Sequence, residues 1–353
     1  MHGWRIQNGM AAPPPVTIPG AIRWDAWYAP GAIHDSAVAA LAPQQWHFRA
    51  PWFARVLSAD RISIDGGHQP IVDAEIEYAA SAGLRYWAYV WYGRDHPMQA
   101  AWRLYQSSRI KSRMKWCHIL QLSNQGGYAG FKASIPLYIE HLGQRNYQRV
   151  LGGKPVVFLF LNNTRTLQNW GGASVIGDAL REFRAAVEKS YQVEPYLVLL
   201  AAPAALAFAL ADAFGCDAIS TYVPVTQPDN TVHWSDQEAA VERSWEHEAQ
   251  PGRCMVVNCF TGWDPRPRTQ QQRTNPDVAQ TGAYTTNPTS LQLTSHLQAA
   301  VDFTRRHPDN CASRLILIYS WDECDEGGNA IVPSFTPTGR DTGVLAAVRR
   351  VKW

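Results

Sequence analysis

Apolar residues in this chain come in short continuous runs, each closed by turn chemistry and followed by a stretch with helical spacing. Leu315-Ile316-Leu317-Ile318-Tyr319 is the clearest run, as expected of a parallel strand covered on both faces. Eight such runs predict strands near 21–28, 85–92, 116–122, 155–161, 196–200, 217–222, 254–261 and 315–321. Helical periods fall between them. One starts at Pro70 and is stopped by Gly83, and others cover 96–113, 130–142, 173–191, 203–213, 235–249 and 289–306. Ser235 and Glu238 are spaced as a capping box at the start of the 235–249 helix.

Eight strand–helix repeats with crossovers of helical length predict the α/β class, as a single-domain (β/α)₈ TIM barrel over 21–353. An extended tail, 1–20, containing Pro13-Pro14-Pro15, leads into it. The alternative is an open doubly wound sheet. That fold usually announces a nucleotide, but no Gly-x-Gly-x-x-Gly or Gly-Lys-Ser/Thr follows any run.

In a barrel the C-terminal strand ends share one mouth. These ends carry Asp25, Trp27 and Tyr28; Trp91 and Tyr92; Asn124; Asn162 and Asn163; Tyr222; Trp263 and Asp264; and the acidic segment after Trp321. Asp322, Glu323, Asp325 and Glu326 place four carboxyl groups in five positions at the exit of a buried strand. They repel one another, which marks a site rather than a stabilising feature. A solvated acidic turn is the plainer alternative. Two acids spaced i and i+3 beside amides and aromatic rings suit cleavage of an acetal: one protonates the leaving oxygen while the other stabilises, traps or acts as base.

The same pair could instead hold a divalent cation. Cys324 is a third option, as a nucleophile without an identifiable His partner. Serine-type acyl transfer lacks its Gly-x-Ser-x-Gly. In the Gly262–Arg268 loop, Trp263 offers a stacking face, while Arg266 and Arg268 either bind substrate or pair with the acidic cluster.

Composition adds little that conflicts. The chain has 353 residues with 46% hydrophobic content, enough for a large core, and a net charge of +2 with scattered basic residues, unlike a nucleic-acid binder. Fifteen Trp and fourteen Tyr lean towards sugar rings as ligands. Six dispersed cysteines support neither a zinc site nor a disulfide framework, and no cofactor is expected. No run has the ~20 apolar residues of a membrane span, and residues 1–19 do not read as a secretory signal, so a soluble protein with no membrane partner is expected. Localisation and oligomeric state stay open.

Tyr319-Ser320-Trp321-Asp322-Glu323-Cys324-Asp325-Glu326-Gly327-Gly328 resembles the Trp-Asn-Glu-Trp-x-Glu-Gly signature of glycoside hydrolase family 99-like and WbsX-like proteins. Residues Gln69 to Tyr92, Asp217 to Tyr222 and Gly262 to Arg268 resemble further blocks of that family in the same order. The departures are Asp322, where the family usually has Asn, and Cys324, where it often has an aromatic residue. The resemblance implies a (β/α)₈ hydrolase acting with retention on α-linked glycans such as α-mannosides, with an oligosaccharide or polysaccharide as partner. It also implies that Glu323 acts as base on the substrate's 2-hydroxyl to form an anhydro-sugar, and Glu326 as general acid and then base. A glycosyltransferase or transglycosylase on the same barrel, or a non-catalytic glycan-binding barrel, are the alternatives. On these roles the like charges around Glu326 should raise its pKa, and Glu323 should have hydrogen-bond donors that Glu326 lacks.

Overall fold

A computed structural model describes residues 16–201, 204–224, 231–271 and 283–353. Most of the expected tail lies outside the described residues. The barrel strands are β1 (Ile18–Arg23), β2 (Tyr86–Trp91), β3 (Lys115–Gln121), β4 (Lys154–Phe160), β5 (Tyr196–Leu200), β6 (Ala218–Ser220), β7 (Val257–Phe260) and β8 (Leu315–Tyr319). They pair in parallel in the order β7-β8-β1-β2-β3-β4-β5-β6. A parallel bridge between Ile219 and Met255 joins the two remaining edges, so the eight strands form a ring. The core strands are buried along their length because each is covered by side chains inside the ring and by helices outside it. That double coverage is why they read as unbroken apolar runs.

The outer helices are α1 (Gln69–Ser81), α2 (Ala100–Ser107), α3 (Gly127–Leu142), α4 (Ala173–Tyr191), α5 (Ala204–Phe214), α6 (Trp234–Glu248), α7 (Ser290–Arg306) and α8 (Gly343–Arg349). The Trp-rich excursion after β1 folds into a helix, Ala32–Leu41, a 3₁₀ segment, Gln44–Arg49, and a hairpin, Arg55–Ser58 with Arg61–Ser63. No helix among the described residues is long and apolar enough to cross a membrane.

Three local expectations change. β1 starts at Ile18 and ends at Arg23, so Trp24 to Tyr28 leave the strand. The cause is chemical: Arg23 and Asp25 enter a buried ion cluster, and Trp27 turns back to donate from Nε1 to the Asp322 carbonyl at 2.7 Å. The 96–113 helix shortens to α2, since the Ser108 hydroxyl accepts from the Ile110 amide and offers the backbone a turn instead. The Ser235/Glu238 capping box does not form. α6 begins at Trp234, whose amide donates to Thr286 Oγ1, and the capping box lies at α7, between Thr289 and Gln292.

The position of β8 matters most for function. It sits between β7 and β1, so the loops leaving all three strands pack against each other. The Trp321 amide donates to the Ile22 carbonyl on one side, and the Asp264 amide to the Glu326 carbonyl on the other. The second seam requires a glycine. A Cβ on Gly262 would lie 2.7 Å from the Gly327 carbonyl oxygen and 2.9 Å from the Asn329 nitrogen.

Candidate active site

Glu323 and Glu326 leave the end of β8 in a tight turn in which the Gly327 amide donates to the Glu323 carbonyl. Spacing i and i+3 in such a turn brings both side chains to one side, and Tyr319, the last residue of β8, joins them. Its hydroxyl lies 3.2 Å from Glu323 Oε2 and 2.9 Å from Glu326 Oε1. Tyr222 donates to Glu323 Oε1 at 2.6 Å from beyond β6, and its ring stacks on Phe160 at 4.4 Å.

Arg268 completes the group. It donates through Nε and Nη2 to both oxygens of Asp325, at 2.9 and 3.0 Å, and through Nη1 to Glu326 Oε2. Its guanidinium lies 5.0 Å from the Trp24 ring, and Trp24 Nε1 donates to the Tyr92 hydroxyl at 2.8 Å.

The electrostatics are the reverse of the sequence expectation. Burial pushes the Glu323 carboxyl well up, and the neighbouring Glu326 charge adds to the push. Burial acts on Glu326 in the same direction, but the Arg268 guanidinium and the hydrogen bond from Tyr319 outweigh it, so Glu326 is held below the usual glutamate value. Geometry gives the same answer. Tyr319 has one hydrogen and faces two acids, so one acid must carry a proton, and the Arg268 contact makes Glu326 the ionised one and leaves the proton on Glu323. Burial and both carboxylates keep the Tyr319 hydroxyl protonated. Arg268 takes the second of its two expected roles, pairing with the acidic cluster, and its charge outweighs the like-charge effect on Glu326.

The other expected residues divide by position. Tyr92, Tyr222 and Arg268 adjoin the acid pair. Asn124 is exposed on the turn after β3 and pairs with Ser123. Asn162 and Asn163 are exposed beyond β4, and Arg266 is partly exposed, whereas the other candidates are closed to a ligand. Trp27, Tyr28, Asp25, Trp321 and Asp322 are buried beneath the mouth, in and around the ion cluster of Arg23. Trp91 points the other way from Tyr92, because successive strand residues alternate, and it packs outside the ring on Trp102, His118 and His141.

Trp263 is 7% exposed and leans on the Tyr319 ring at 6.1 Å, so it braces the acid pair rather than offering an open stacking face. Asp264 is enclosed by Arg266 at 2.8 and 2.7 Å and by Arg49 Nη1 at 3.2 Å, which makes Arg266 a loop-holding residue with its guanidinium on the Tyr284 ring. Cys324 is buried, and burial together with Asp322 and Asp325 raises its thiol, which removes the nucleophile reading. All six cysteines are free.

The sequence reading missed Tyr319, Arg49, Arg23 and Glu75. Arg49 donates to the carbonyls of Cys324 and Asp264 at 3.0 and 2.9 Å and so ties the two acid-bearing loops together. Arg23 was the discoverable one, a lone cation closing an apolar strand and followed by Asp25. The acid pair is a poor cation site because Arg268 already occupies Glu326. Glu238, Glu242 and His296 bring ligand-type atoms within 4.8 Å of one another, but between α6 and α7 on the outer layer.

No family model matches the sequence. No curated protein matches it either. Among solved structures, it is similar to the family 99 endo-α-mannosidase from Bacteroides thetaiotaomicron in complex with bis-tris-propane. The TM-score is 0.61 at 14% identity, with 94% of this chain and 95% of that chain covered. A second structure of the Bacteroides thetaiotaomicron enzyme gives 0.58 at 13% identity over 94% and 95%. The shared property is the fold. It spans nearly the whole length of both chains and places the acid pair at the carboxyl end of the ring.

Proposed function

We propose that this protein is a glycoside hydrolase that cleaves α-linked glycans, α-mannosides in particular, with retention, through Glu323 and Glu326. The observation that carries the reading is the Tyr319 hydroxyl shared by two buried acids at the mouth of the barrel. Acids bonded to one hydroxyl are no more than about 6 Å apart. That is close to the ~5–5.5 Å of retaining enzymes and short of the ~6.5–9.5 Å that inversion needs for its water. The resemblance of the Trp321–Gly328 segment and the fold shared with an endo-α-mannosidase support the substrate class.

The pair carries one proton. In the ligand-free arrangement it rests on Glu323, with Glu326 ionised beside Arg268. Transfer through Tyr319 puts the proton on Glu326 and leaves Glu323 ionised. Glu326 then protonates the leaving oxygen while Glu323 takes a proton from the sugar's own 2-hydroxyl, whose oxygen closes on the anomeric carbon. Water then adds at the anomeric carbon and breaks its bond to O2; Glu326, now the base, takes the water's proton and Glu323 gives its own back to O2, which returns the pair to its starting charge. Trp24, Tyr92, Tyr222 and Phe160 remain partly open around the acids and supply the rings on which a sugar packs.

Incubation with α- and β-linked manno-oligosaccharides, followed by proton NMR of the first product, tests the proposal. Cleavage of the α-linked set with the α-anomer formed first is expected, and abolition by Glu323→Gln and Glu326→Gln. A β-anomer first, or turnover of β-linkages alone, would refute it.

A further inference from the structure

Between the end of β1 and α1, Arg23, Asp25, Glu75 and Asp322 form a cluster with no solvent-facing side chain to speak of, each being 1% exposed or less. Three carboxyl groups meet one guanidinium there. Arg23 donates through Nε to Asp25 Oδ1 at 2.8 Å and through Nη2 to Glu75 Oε2 at 3.0 Å, and Glu75 also accepts from the Tyr28 hydroxyl at 2.6 Å. Asp322 is served differently. Its Oδ1 accepts from the Trp24 amide at 3.0 Å, while Oδ2 is 3.9 Å from Arg23 and has no N–H or O–H donor among the described residues. The Asp25 carboxyl lies in the same solvent-free cluster on Arg23, and two carboxylates have no hydrogen to offer each other. A proton on Asp322 would remove the buried charge that Oδ2 otherwise carries without a donor.

We propose that Asp322 is held as a neutral carboxylic acid that donates its proton to Asp25, and that in this form it is the positioning residue for Glu323. Asp25 takes the charge because Arg23 faces it directly. The groups facing Asp322 are Arg23 from the end of β1, Asp25 and Tyr28 from the loop after it, Glu75 from α1, and Cys324 on its own segment. Only Arg23 is cationic. Burial and the neighbouring carboxylates raise Asp322, whereas Arg23 and the Trp24 amide pull the other way and do not prevail. Asp322 precedes Glu323 directly, and its carbonyl and Oδ1 hold Trp27 and Trp24, so the neutral acid anchors the segment that aims Glu323. Ionisation would set two unshared negative charges against each other at that anchor.

The positioning role rests on the hydrolase reading, but the protonation state does not. Asp322→Asn keeps the shape, accepts from the Trp24 amide and donates to Asp25 at every pH. An acid kept neutral when folded ionises in the unfolded chain above about pH 4, so the wild type loses stability as pH rises from there. The Asn protein is therefore expected to melt above the wild type at about pH 8, with the gap closing towards pH 4. Asp322→Ala should melt below both. The infrared difference between wild type and Asp322→Asn at neutral pH should contain the carbonyl band of a protonated carboxyl. With a glycan substrate, Asp322→Asn should keep kcat and lose activity at a higher pH than the wild type, while Asp322→Ala lowers kcat. Absence of the infrared band, or an Asn protein that melts below the wild type at pH 8, overturns the protonation. An unchanged alkaline limb in Asp322→Asn overturns the positioning. The melting and infrared measurements need no substrate, so failure of the hydrolase reading leaves them decisive.

Discussion

The Tyr319 hydroxyl lies 2.9 Å from Glu326 Oε1, the closer of the two acids it faces. Tyr319→Phe removes that donor while keeping the ring, which also supports Trp263. A hydrogen bond to a charged group is worth roughly 1.5–3 kcal/mol, so kcat should fall about 10- to 100-fold with the fold intact. Steady-state kinetics beside circular dichroism checks this. A kcat within twofold of wild type would remove Tyr319 from the proton path.

Arg268 is the only cation bonded to Glu326 among the described residues, and its other two donors neutralise Asp325, whose side chain is 1% exposed. Arg268→Ala leaves Asp325 buried without its partner, a change that typically destabilises by about 3–5 kcal/mol. The pH dependence has a definite sign. Glu326 is held low, so its contribution to stability is present at neutral pH and disappears as pH falls through its folded value. In Arg268→Ala that contribution is absent, and the gap to wild type should narrow below about pH 4. Urea melts at pH 7 and pH 3.5 measure it. A gap that widens in acid would contradict the assigned sign.

Gly262 lacks a positive φ, so its requirement is purely steric. Gly262→Ala forces a methyl group against the Gly327 carbonyl and parts the loops after β7 and β8. Overpacking of this kind costs about 1–3 kcal/mol, and the displacement reaches Glu326 through the Asp264 amide bond. A lowered urea midpoint together with reduced kcat is expected. A stable protein of full activity would show that the seam can shift freely.

The sequence revealed the barrel because β2 to β5 and β8 are covered on both faces, so their runs are almost wholly apolar, with the buried His118 in β3 as the exception. It revealed Glu323 and Glu326 for the opposite reason, since acids at a buried strand exit conflict with stability alone. Direction was the hidden variable. Trp91 and Tyr92 are neighbours in sequence, yet one packs outside the ring and the other faces the mouth. Tyr319 was concealed by its own apolar run. Trp27, Asp25 and Asp322 looked like site residues because aromatic and charged groups at strand ends are usually exposed, and the Arg23 cluster that buries them depends on Glu75, 52 residues beyond Arg23 on a helix. Arg49 comes from a 3₁₀ segment with no strand or long helix to place it.

Glu326→Gln separates chemistry from scaffolding most sharply. The amide keeps the shape and can still bond to Tyr319, but has no proton to give. A substrate with a poor leaving group needs that proton in the step that breaks the glycosidic bond, so its turnover should fall ~10²–10⁴-fold, the usual span of general acid–base catalysis. An activated aryl glycoside leaves without protonation, so its bond-breaking step should be nearly spared. Loss of the Glu326 charge also removes one of the influences that raise Glu323, so the Glu323 carboxyl should titrate lower in the variant than in the wild type. If Glu323 must be ionised to act on the 2-hydroxyl, the acid limb for the activated substrate should move to lower pH. Pre-steady-state rates on both substrates across pH make the measurement. Equal losses on the two leaving groups would mean that Glu326 shapes the mouth without donating a proton, and an acid limb that moves up instead would reassign the shared proton.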